Sequence, residues 1–446
     1  MAELDGRGII GILGNGRGGL EGGHYTALPE QAAGWSFERD GRPDAVLPRL
    51  KKGLQLVNLV GTISSDFAET RRKPLEFKSF LLAEATVALT FPSLFRRADH
   101  PLVGIDISSS SVKLVELRVG SKTAMRLERY AIEPLERGAM VEGVIEKPEV
   151  IADALVRALR KSSSSARNAA LALPSRAVIT KRIALTAGLS EEDYEFQVES
   201  EASQYIPFPI DEVNLDFQIL GPSAQATDEV EVLLAASRKE KVDERVMVAE
   251  MAGLKPVIMD VEPYAVRTTV EHVASFLPNN GEGQVIAVVM VGDQLTYVTI
   301  ILNGQAIFER EQGFGGVQLT QDIVRLYGLS FEEAEQKKRA GDLPDSYHED
   351  LLKPFIALGA TDISRALQFF FTSTPFTEVD QIFLAGGSSV VPGLCEAVAE
   401  RTQVATELVN PFRGMEIADS IRDRQLRIDA PSLLVATGLA MRRFEP

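Results

Sequence analysis

A carboxylate, a run of serines and a lysine lie close together in one short stretch of the sequence, PLVGIDISSSSVKLVEL. Serine hydroxyls and the backbone N–H groups of a turn donate hydrogen bonds to phosphate oxygens, a lysine ammonium adds positive charge, and a carboxylate can hold the water shell of Mg²⁺. The stretch therefore indicates a site for a phosphate and its metal ion, and an ordinary hairpin with a serine-rich turn is the alternative. The residues concerned are Asp106, Ser108, Ser109, Ser110, Ser111 and Lys113.

Two strands are needed to hold these side chains in place. Residues 102–107 are mainly apolar, and residues 112–117 nearly alternate between apolar and charged side chains. This pattern predicts a β-hairpin with the serines in its tight turn, where small side chains leave room for a ligand.

A second stretch repeats this organisation later in the chain. IAVVMVGDQLTYVTII, residues 286–301, again gives an apolar run, a short polar turn and an alternating run. A repeat of this kind predicts two similar lobes that face one cleft. Placing the two hairpins in register gives three equivalent pairs: Asp106 with Met290, Ser108 with Gly292, and Lys113 with Tyr297.

Strands and helices alternate from residue 101 onward, which is typical of an α/β chain whose sheets are covered by helices. Residues 177–222 change character, because an acidic helix and the rigid turn PFP separate two strands. We expect five segments: an N-terminal extension at 1–95, the first part of lobe 1 at 96–176, an inserted subdomain at 177–222, the remainder of lobe 1 at 223–284, and lobe 2 at 285–446.

The composition excludes several classes of protein. A net charge of −16 argues against nucleic acid as a partner, since nucleic acids select basic surfaces. One cysteine and four scattered histidines leave neither a disulfide nor a zinc-ligand pattern. Because the sequence has no apolar run long enough to span a membrane and no signal-peptide core, we expect a soluble cytoplasmic protein.

The first 90 or so residues differ from the rest in composition. Gly14, Gly16 and Gly19 match a G-x-G-x-x-G pattern, but further glycines and a proline follow where a dinucleotide site needs a helix. We therefore expect a flexible extension, with one short helix at 78–95 whose role the sequence does not indicate.

Several phrases, in order and at the expected spacing, resemble the actin-like ATPase superfamily. Within it, the chain is similar to the PilM family of type IV pilus assembly proteins, which is itself similar to the division protein FtsA. The resemblance implies an actin-like two-lobed ATPase fold with a small inserted FtsA-like 1C-type subdomain. The phrases are LVGIDISSSSVKLVEL (102–117), AVITKRIAL (177–185), MDVEPYAV (259–266), FGGVQLTQDI (314–323), LSFEEAEQKK (329–338), LAGGSSVVPGL (384–394) and APSLLVATGLA (430–440).

The resemblance also implies a site for ATP with Mg²⁺. Asp106 would hold the metal's water shell, Ser108 to Ser111 would cradle the phosphates, and Lys113 would meet the β- or γ-phosphate. In the second half, Gly292 would approach the γ-phosphate, Glu335 and Lys338 would lie near the ribose and base, and Gly386 and Gly387 would form the turn on the adenine side. A solvated helix face is the alternative for Glu335 and Lys338, and a strand-to-helix turn without a ligand is the alternative for the two glycines.

One departure from the superfamily concerns hydrolysis. Actin-like hydrolases commonly carry an aspartate in the second hairpin, which helps to bind metal and to orient the attacking water. Here Met290 stands at that place, and a thioether cannot perform either task. We therefore expect nucleotide binding, with weak or absent hydrolysis.

The resemblance implies a protein partner as well. A PilM-type scaffold binds the short cytoplasmic N-terminal segment of PilN, a bitopic membrane protein, between its first lobe and the inserted subdomain. That role would place the chain at the inner membrane through its partners, with other pilus platform components and homo-oligomers as further expectations. The acidity of residues 191–201 would suit a basic partner segment. The candidate contact residues are Tyr194, Phe196, Tyr205, Ile206 and Phe208, and filling the subdomain core is the alternative role for each.

Two other functions stay open from the sequence. An active ATPase or kinase of the same fold would need a catalytic group in place of Met290. A filament-forming division protein of the FtsA type generally ends in a basic amphipathic helix, whereas this sequence stops at MRRFEP, directly after its last apolar helix. The expectation therefore favours the pilus scaffold.

Overall fold

The computed structural model describes residues 101–444, except 122–123, 142 and 224–225. The extension expected at 1–95, its pattern of Gly14, Gly16 and Gly19, and the helix expected at 78–95 lie outside the described residues. None of the helices within the described ranges combines the length and apolar character that a membrane crossing requires.

The described residues form strands that assemble into four sheets. In chain order the strands are β1 Leu102–Ile107, β2 Ser111–Val119, β3 Met125–Pro134, β4 Met140–Val141, β5 Val144–Ile145, β6 Asn168–Leu173, β7 Val178–Thr186, β8 Val213–Pro222, β9 Glu229–Arg238, β10 Lys255–Val261, β11 Val285–Val291, β12 Thr296–Leu302, β13 Gln305–Gln312, β14 Gln381–Ala385, β15 Ala405–Leu408 and β16 Glu416–Ile417.

The helices follow sequence signals at their ends. Pro148 opens α1, where its missing N–H is not needed. Ser330 and Glu333 form a capping box at the start of α6, and Gly341 ends that helix in the left-handed region. The α-helices are α1 Pro148–Ser162, α2 Glu191–Ala202, α3 Lys239–Met251, α4 Glu262–Ala274, α5 Gly316–Tyr327, α6 Phe331–Ala340, α7 Lys353–Ser373, α8 Leu394–Thr402, α9 Asp423–Asp429 and α10 Leu434–Met441.

Five strands of each large sheet have the same topology, and the first sheet has β16 in addition. The first has the order β10-β6-β1-β2-β3-β16, and the second has the order β13-β12-β11-β14-β15. In each, an antiparallel three-stranded meander continues into two parallel strands. The duplication predicted from the two hairpins is confirmed.

A layer of helices separates the two large sheets. Helices α4 and α10 contribute Val266, Val270 and Leu439 to one apolar cluster, which also contains Leu102 of the first sheet and Val288 of the second. Burial of both sheet faces against the same two helices joins the lobes through a continuous core.

The inserted subdomain is a three-stranded antiparallel sheet, β7-β9-β8, covered by α2. Its central strand is β9, so the subdomain extends to Arg238, beyond the boundary expected at 222. The reason is that β9 supplies Val232 and Leu234 to the small core against α2, and two strands alone would leave that core open.

The last part of the chain returns to the first lobe, although residues 285–446 were expected to form the second. Strand β16 pairs with β3, and α10 packs on β1 and α4. The close approach of α10 to β1 and α4 depends on two glycines. A Cβ at Gly104 of β1 would overlap the Ala436 carbonyl oxygen, and a Cβ at Gly438 of α10 would overlap the Ala265 carbonyl oxygen.

A buried ion pair also fixes this C-terminal segment. The Nε of Arg442 donates to the Asp260 carboxylate over 2.6 Å, and both side chains are almost fully buried. Because Asp260 lies on β10, the pair ties the end of α10 to the far edge of the first sheet.

Candidate functional site

The predicted phosphate hairpin has the expected register. Asp106 on β1 faces Lys113 on β2, and the Lys113 ammonium donates to the Asp106 carboxylate over 2.8 Å and to the Ser108 hydroxyl over 2.9 Å. Both charged side chains are about nine-tenths buried. Such a pair supplies a carboxylate and an ammonium at one end of a strand, next to a turn of small residues.

The serine turn is held by its own backbone. The N–H and hydroxyl of Ser108 both donate to the Ser111 carbonyl, over 3.0 and 2.9 Å. The Ser110 carbonyl accepts a hydrogen bond from the N–H of Leu135. Ser109 and Ser110 are only partly buried and lie at the tip of the hairpin.

The second hairpin reproduces the backbone of the first with different side chains. Met290 faces Tyr297 across β11 and β12, in the register position of the Asp106 and Lys113 pair. Gly292 opens the turn, where a Cβ would come within 2.8 Å of the Leu295 carbonyl oxygen. The alignment of the two hairpins made from the sequence is confirmed, and no carboxylate stands at Met290.

A glutamate that the sequence reasoning did not select lies at the same edge of the first sheet. Strands β10, β6 and β1 are parallel, so their carboxyl ends meet at one edge, which is where ligands bind in such sheets. Glu262 directly follows β10 and opens α4. An acidic residue between an apolar strand and a helix, as in VIMDVEP, is the signal that points to it.

Burial and the Asp106 carboxylate together raise the pKa of Glu262 from 4.5 to about 7, against the opposing charges of Arg245, Lys113 and Arg176. A carboxyl group with this pKa changes its charge near neutral pH, so it can accept a proton there.

The raised pKa of Glu262 has a consequence for stability. Between pH 4.5 and 7 the folded chain binds more protons than the unfolded chain, so Glu262 lowers stability progressively as the pH rises through this window. Replacing it by glutamine removes that effect. In thermal unfolding of the nucleotide-free protein, we expect Glu262→Gln to be more stable than the wild type by less than about 1 kcal/mol at pH 5 and by roughly 3 kcal/mol at pH 8.

The matched control for this prediction is Glu400→Gln, which makes the same chemical change at an exposed position of α8. Equal stability differences for Glu262→Gln at pH 5 and pH 8 would contradict the assignment.

Glu335 and Lys338 lie together in the second lobe. The Lys338 ammonium contacts Glu335 and donates to the Thr320 hydroxyl over 2.5 Å and to the Gly316 carbonyl over 3.4 Å. Burial alone would raise the pKa of Glu335, but the charge and hydrogen bonds of Lys338 lower it. The pair is therefore anchored to α5 and is more than a solvated helix face.

The predicted glycine turn follows β14. Gly386 has φ +90°, and its N–H donates to the Pro431 carbonyl over 2.8 Å. A Cβ at Gly386 would overlap the Val291 carbonyl oxygen at the end of β11, whereas one at Gly387 would meet no atom within 4 Å. The turn is thus packed on one side and open on the other.

These second-lobe residues converge on the start of α5. The N–H of Gly316 donates to the Gly292 carbonyl over 3.1 Å, and a Cβ at Gly316 would overlap the Ser388 hydroxyl. The fold therefore gathers the second hairpin, the glycine turn and the Glu335 and Lys338 pair around one helix end. The phrase FGGVQLTQDI contains this helix start, but Gly316 was not singled out from the sequence.

Two arginines connect the lobes beside this site. The Arg137 guanidinium lies 4.1 Å from the ring centre of Phe331 at the start of α6. Arg176, in the short turn between β6 and β7, donates to the Tyr297 hydroxyl over 3.2 Å and approaches Glu311 at 3.6 Å. Tyr297, at the position equivalent to Lys113, is therefore hydrogen-bonded to the turn between β6 and β7.

The residues present fit a magnesium nucleotide. In the described ranges, no group of three or more His, Cys, Asp or Glu side chains is arranged to hold a metal ion. Mg²⁺ needs only one or two carboxylates when phosphates and waters supply its other ligands, and Asp106 at the serine turn meets that requirement.

A separate groove of about 410 Å³ lies between the first lobe and the inserted subdomain. Its floor is mainly apolar and includes Pro174, Ile179 and Val213. Ile206 and Phe208, two of the predicted partner-binding residues, line it as well.

The other three predicted partner-binding residues lie elsewhere. Tyr194 is buried in the subdomain core, whereas Phe196 on α2 is 75% exposed and Tyr205 is 40% exposed. None of these three lines the groove. The alternation of buried and exposed positions on α2 separates Tyr194 from Phe196, and the sequence alone did not reveal which face of α2 is covered.

The charges at the groove differ from those expected. The acidic residues of α2 do not line it, and the charged residues that do are Arg176, Arg238 and Lys241. Each of these cations has an acidic neighbour, at 3.6 Å for Arg176, 3.4 Å for Arg238 and 2.8 Å for Lys241. The groove therefore offers apolar contacts more than net charge.

Known proteins are similar to this chain in sequence and fold. Residues 104–444 match the model of the family described as type IV pilus assembly protein PilM. A solved PilM-PilN type IV pilus biogenesis complex is 29% identical, with a TM-score of 0.64, over 78% of this chain and 100% of that chain.

More distant structures also align. The ethanolamine utilization protein EutJ from Carboxydothermus hydrogenoformans is 15% identical over 76% of this chain and 88% of that chain, with a TM-score of 0.45. MreB 5 of Spiroplasma citri bound to AMPPNP is 15% identical over 78% of this chain and 96% of that chain, with a TM-score of 0.39. Because the family model matches most of its length, the chain belongs to the family of type IV pilus assembly protein PilM.

Proposed function

We propose that this protein is a nucleotide-binding scaffold of the type IV pilus assembly platform, and that it binds the N-terminal cytoplasmic segment of a PilN-type protein. The observation that carries the proposal is the apolar groove of about 410 Å³ beside the inserted subdomain, in a chain similar to the PilM-PilN complex. An extended segment of a few apolar residues matches a groove of this size and lining.

The ligand of the cleft is ATP with Mg²⁺. In this proposal Asp106 holds the metal's water shell, and Lys113 with the serine turn binds phosphate oxygens. Gly292, Gly386 and Gly387 allow close backbone approach, and Glu335 with Lys338 contacts the ribose and base. Two observations support the assignment: the buried Asp106 and Lys113 pair, and the convergence of the second-lobe residues on the start of α5.

Hydrolysis is slow in this proposal, because Met290 provides neither a metal ligand nor a hydrogen bond to water. A second candidate function, an active ATPase, is favoured by one observation, the Glu262 carboxyl group with a pKa of about 7 beside Asp106. Steady phosphate release by the wild type that is lost in Glu262→Gln would favour the ATPase.

The scaffold acts on the cytoplasmic side of the inner membrane, which it reaches through its partner. Other platform components and further copies of the chain are additional partners in this proposal. The net charge of −16 gives no support to nucleic acid binding.

Phe208→Ala tests the groove. The Phe208 ring is 37% exposed, lines the groove and lies 5.2 Å from the Arg238 guanidinium. Its loss removes an aromatic contact from the partner segment, so we expect the affinity for a PilN-type N-terminal peptide to fall about tenfold or more. The measurement is calorimetric titration of the full chain with that peptide.

Phe196→Ala is the matched comparison, because it makes the same substitution at an exposed site outside the groove. We expect its peptide affinity to equal that of the wild type. A loss in Phe196→Ala but not in Phe208→Ala would move the binding surface to α2, and absence of saturable binding by the wild type would overturn the proposed function.

A further inference from the structure

One arginine is buried between the proposed phosphate site and the groove. Arg245 on α3 is 1% exposed. Its Nε donates to the Ala172 carbonyl over 2.9 Å, and its Nη2 donates to the Gly143 carbonyl over 3.2 Å. Its Nη1 is buried and makes no hydrogen bond with the described residues. A guanidinium in this position is costly to bury, so its surroundings must offset the lost hydration.

On one side, Arg245 reaches the carboxyl edge of the first sheet. Ala172 is the penultimate residue of β6 and pairs with Asp260 of β10. The parallel register of β1 and β6, extended by two residues from Gly104 and Ala170, brings Ala172 level with Asp106. The Ala172 carbonyl therefore connects Arg245 to the edge where Asp106 and Glu262 lie.

The charges at this edge act on Arg245. Burial lowers the pKa of the guanidinium, and Glu262 is the largest opposing influence. The Arg245 charge in turn opposes the raised pKa of Glu262. A change of charge at the edge therefore changes the field in which Arg245 sits.

On its other side, Arg245 holds the groove wall. Gly143 precedes β5, has φ +80°, and packs against Pro174, whose Cγ would lie 3.3 Å from a Cβ at this position. Gly143, Val144 and Pro174 all line the groove. A single guanidinium thus bonds the backbone of the groove wall and the backbone of β6, and its charge interacts with the Glu262 carboxyl group at the sheet edge.

We propose that Arg245 is a positioning residue that couples the phosphate site to the groove, so that nucleotide and partner segment each change the other's affinity. The inference rests on the proposed function. A bound phosphate adds negative charge at the sheet edge and favours a fixed guanidinium. A fixed guanidinium orders the Gly143 wall before the segment arrives. Because coupling between two sites is reciprocal, the same factor applies to both ligands.

The experiment is a set of calorimetric titrations of the full chain with the PilN-type peptide, with and without Mg-ATP. In the wild type we expect Mg-ATP to tighten peptide binding about fivefold or more. Arg245→Met keeps an unbranched apolar side chain at this position but removes the charge and the hydrogen bonds. We expect it to bind both ligands, with a coupling factor below about twofold. Arg157→Met, the same change at a half-exposed arginine of α1, should keep the full factor.

Each result has one meaning. Coupling that persists in Arg245→Met overturns the inference, and so does a wild type that binds both ligands independently, although the proposed function then stands. A wild type that binds the peptide but not Mg-ATP also overturns the inference. A wild type that does not bind the peptide overturns the proposed function itself.

Two further measurements apply where Arg245→Met does not fold. Arg245→Lys keeps the charge without the paired hydrogen bonds, and we expect it to show reduced coupling. Amide hydrogen exchange of the wild type around Gly143 and Val144 should slow when Mg-ATP is added in the absence of peptide. Unchanged exchange there would also overturn the inference.

Discussion

Lys113→Met is expected to lower the affinity for Mg-ATP at least about 100-fold. The ammonium is the only cation that contacts Asp106 and Ser108 in the described hairpin, so its loss removes the charge that attracts phosphate oxygens. The substitution also leaves the Asp106 carboxylate buried without its partner, which costs roughly 3 kcal/mol of stability. Displacement of a fluorescent nucleotide measures the first effect, and urea unfolding measures the second.

A double variant separates the two effects of this change. Asp106→Asn combined with Lys113→Met removes the whole ion pair, so the buried charge no longer opposes folding. We expect the double variant to regain most of the lost stability and none of the nucleotide affinity. If Lys113→Met is folded and binds Mg-ATP within about threefold of the wild type, the serine hairpin is not the phosphate site.

Gly438→Ala is expected to destabilise the fold by roughly 3 kcal/mol or more. A methyl group at this position would overlap the Ala265 carbonyl oxygen, so α10 would have to move away from α4. Helix propensity alone predicts the opposite, since alanine in a helix interior is about 1 kcal/mol more favourable than glycine. The sign of the change in the urea midpoint therefore decides whether helix packing or propensity dominates.

Gly313→Ala is the control for this substitution. No atom lies within 4 Å of a Cβ built at Gly313, so the same chemical change should leave stability nearly unchanged. A Gly438→Ala protein as stable as Gly313→Ala would contradict the tight packing of α10.

The sequence was sufficient to predict the two hairpins and their equivalence. Strand alternation and turn residues are local signals, and they place Asp106 opposite Lys113 and Met290 opposite Tyr297 without knowledge of the rest of the chain. The α/β class followed from the same alternation, and the family resemblance supplied the two-lobed topology.

Long-range pairing explains what the sequence did not predict. Strand β9 looks like any buried strand, and only its pairing with both β7 and β8 shows that the subdomain extends to Arg238. Likewise, the return of β16 and α10 to the first lobe depends on contacts with segments far away in the chain. No local pattern marks these boundaries.

Among the site residues too, some have a local sequence signal and others depend on long-range pairing. Glu262 had a local signal, an acid between an apolar strand and a helix, although its closeness to Asp106 depends on strand order. Arg245 had none, because it lies in the charged stretch KEKVDERVMVAEM, where most of the charged residues lie at the surface. Burial of a single arginine from such a stretch becomes visible only when the neighbouring strands are in place.

The position of α10 also affects how the protein is made. Ribosomes synthesise the chain from its N-terminus, so this helix emerges after both large sheets, yet it completes the apolar cluster between them. Until then, Ile286, Val288 and Phe383 lack part of their cover. A nascent or prematurely terminated chain therefore presents an apolar sheet face to chaperones and proteases, and quality control can distinguish it from the finished protein.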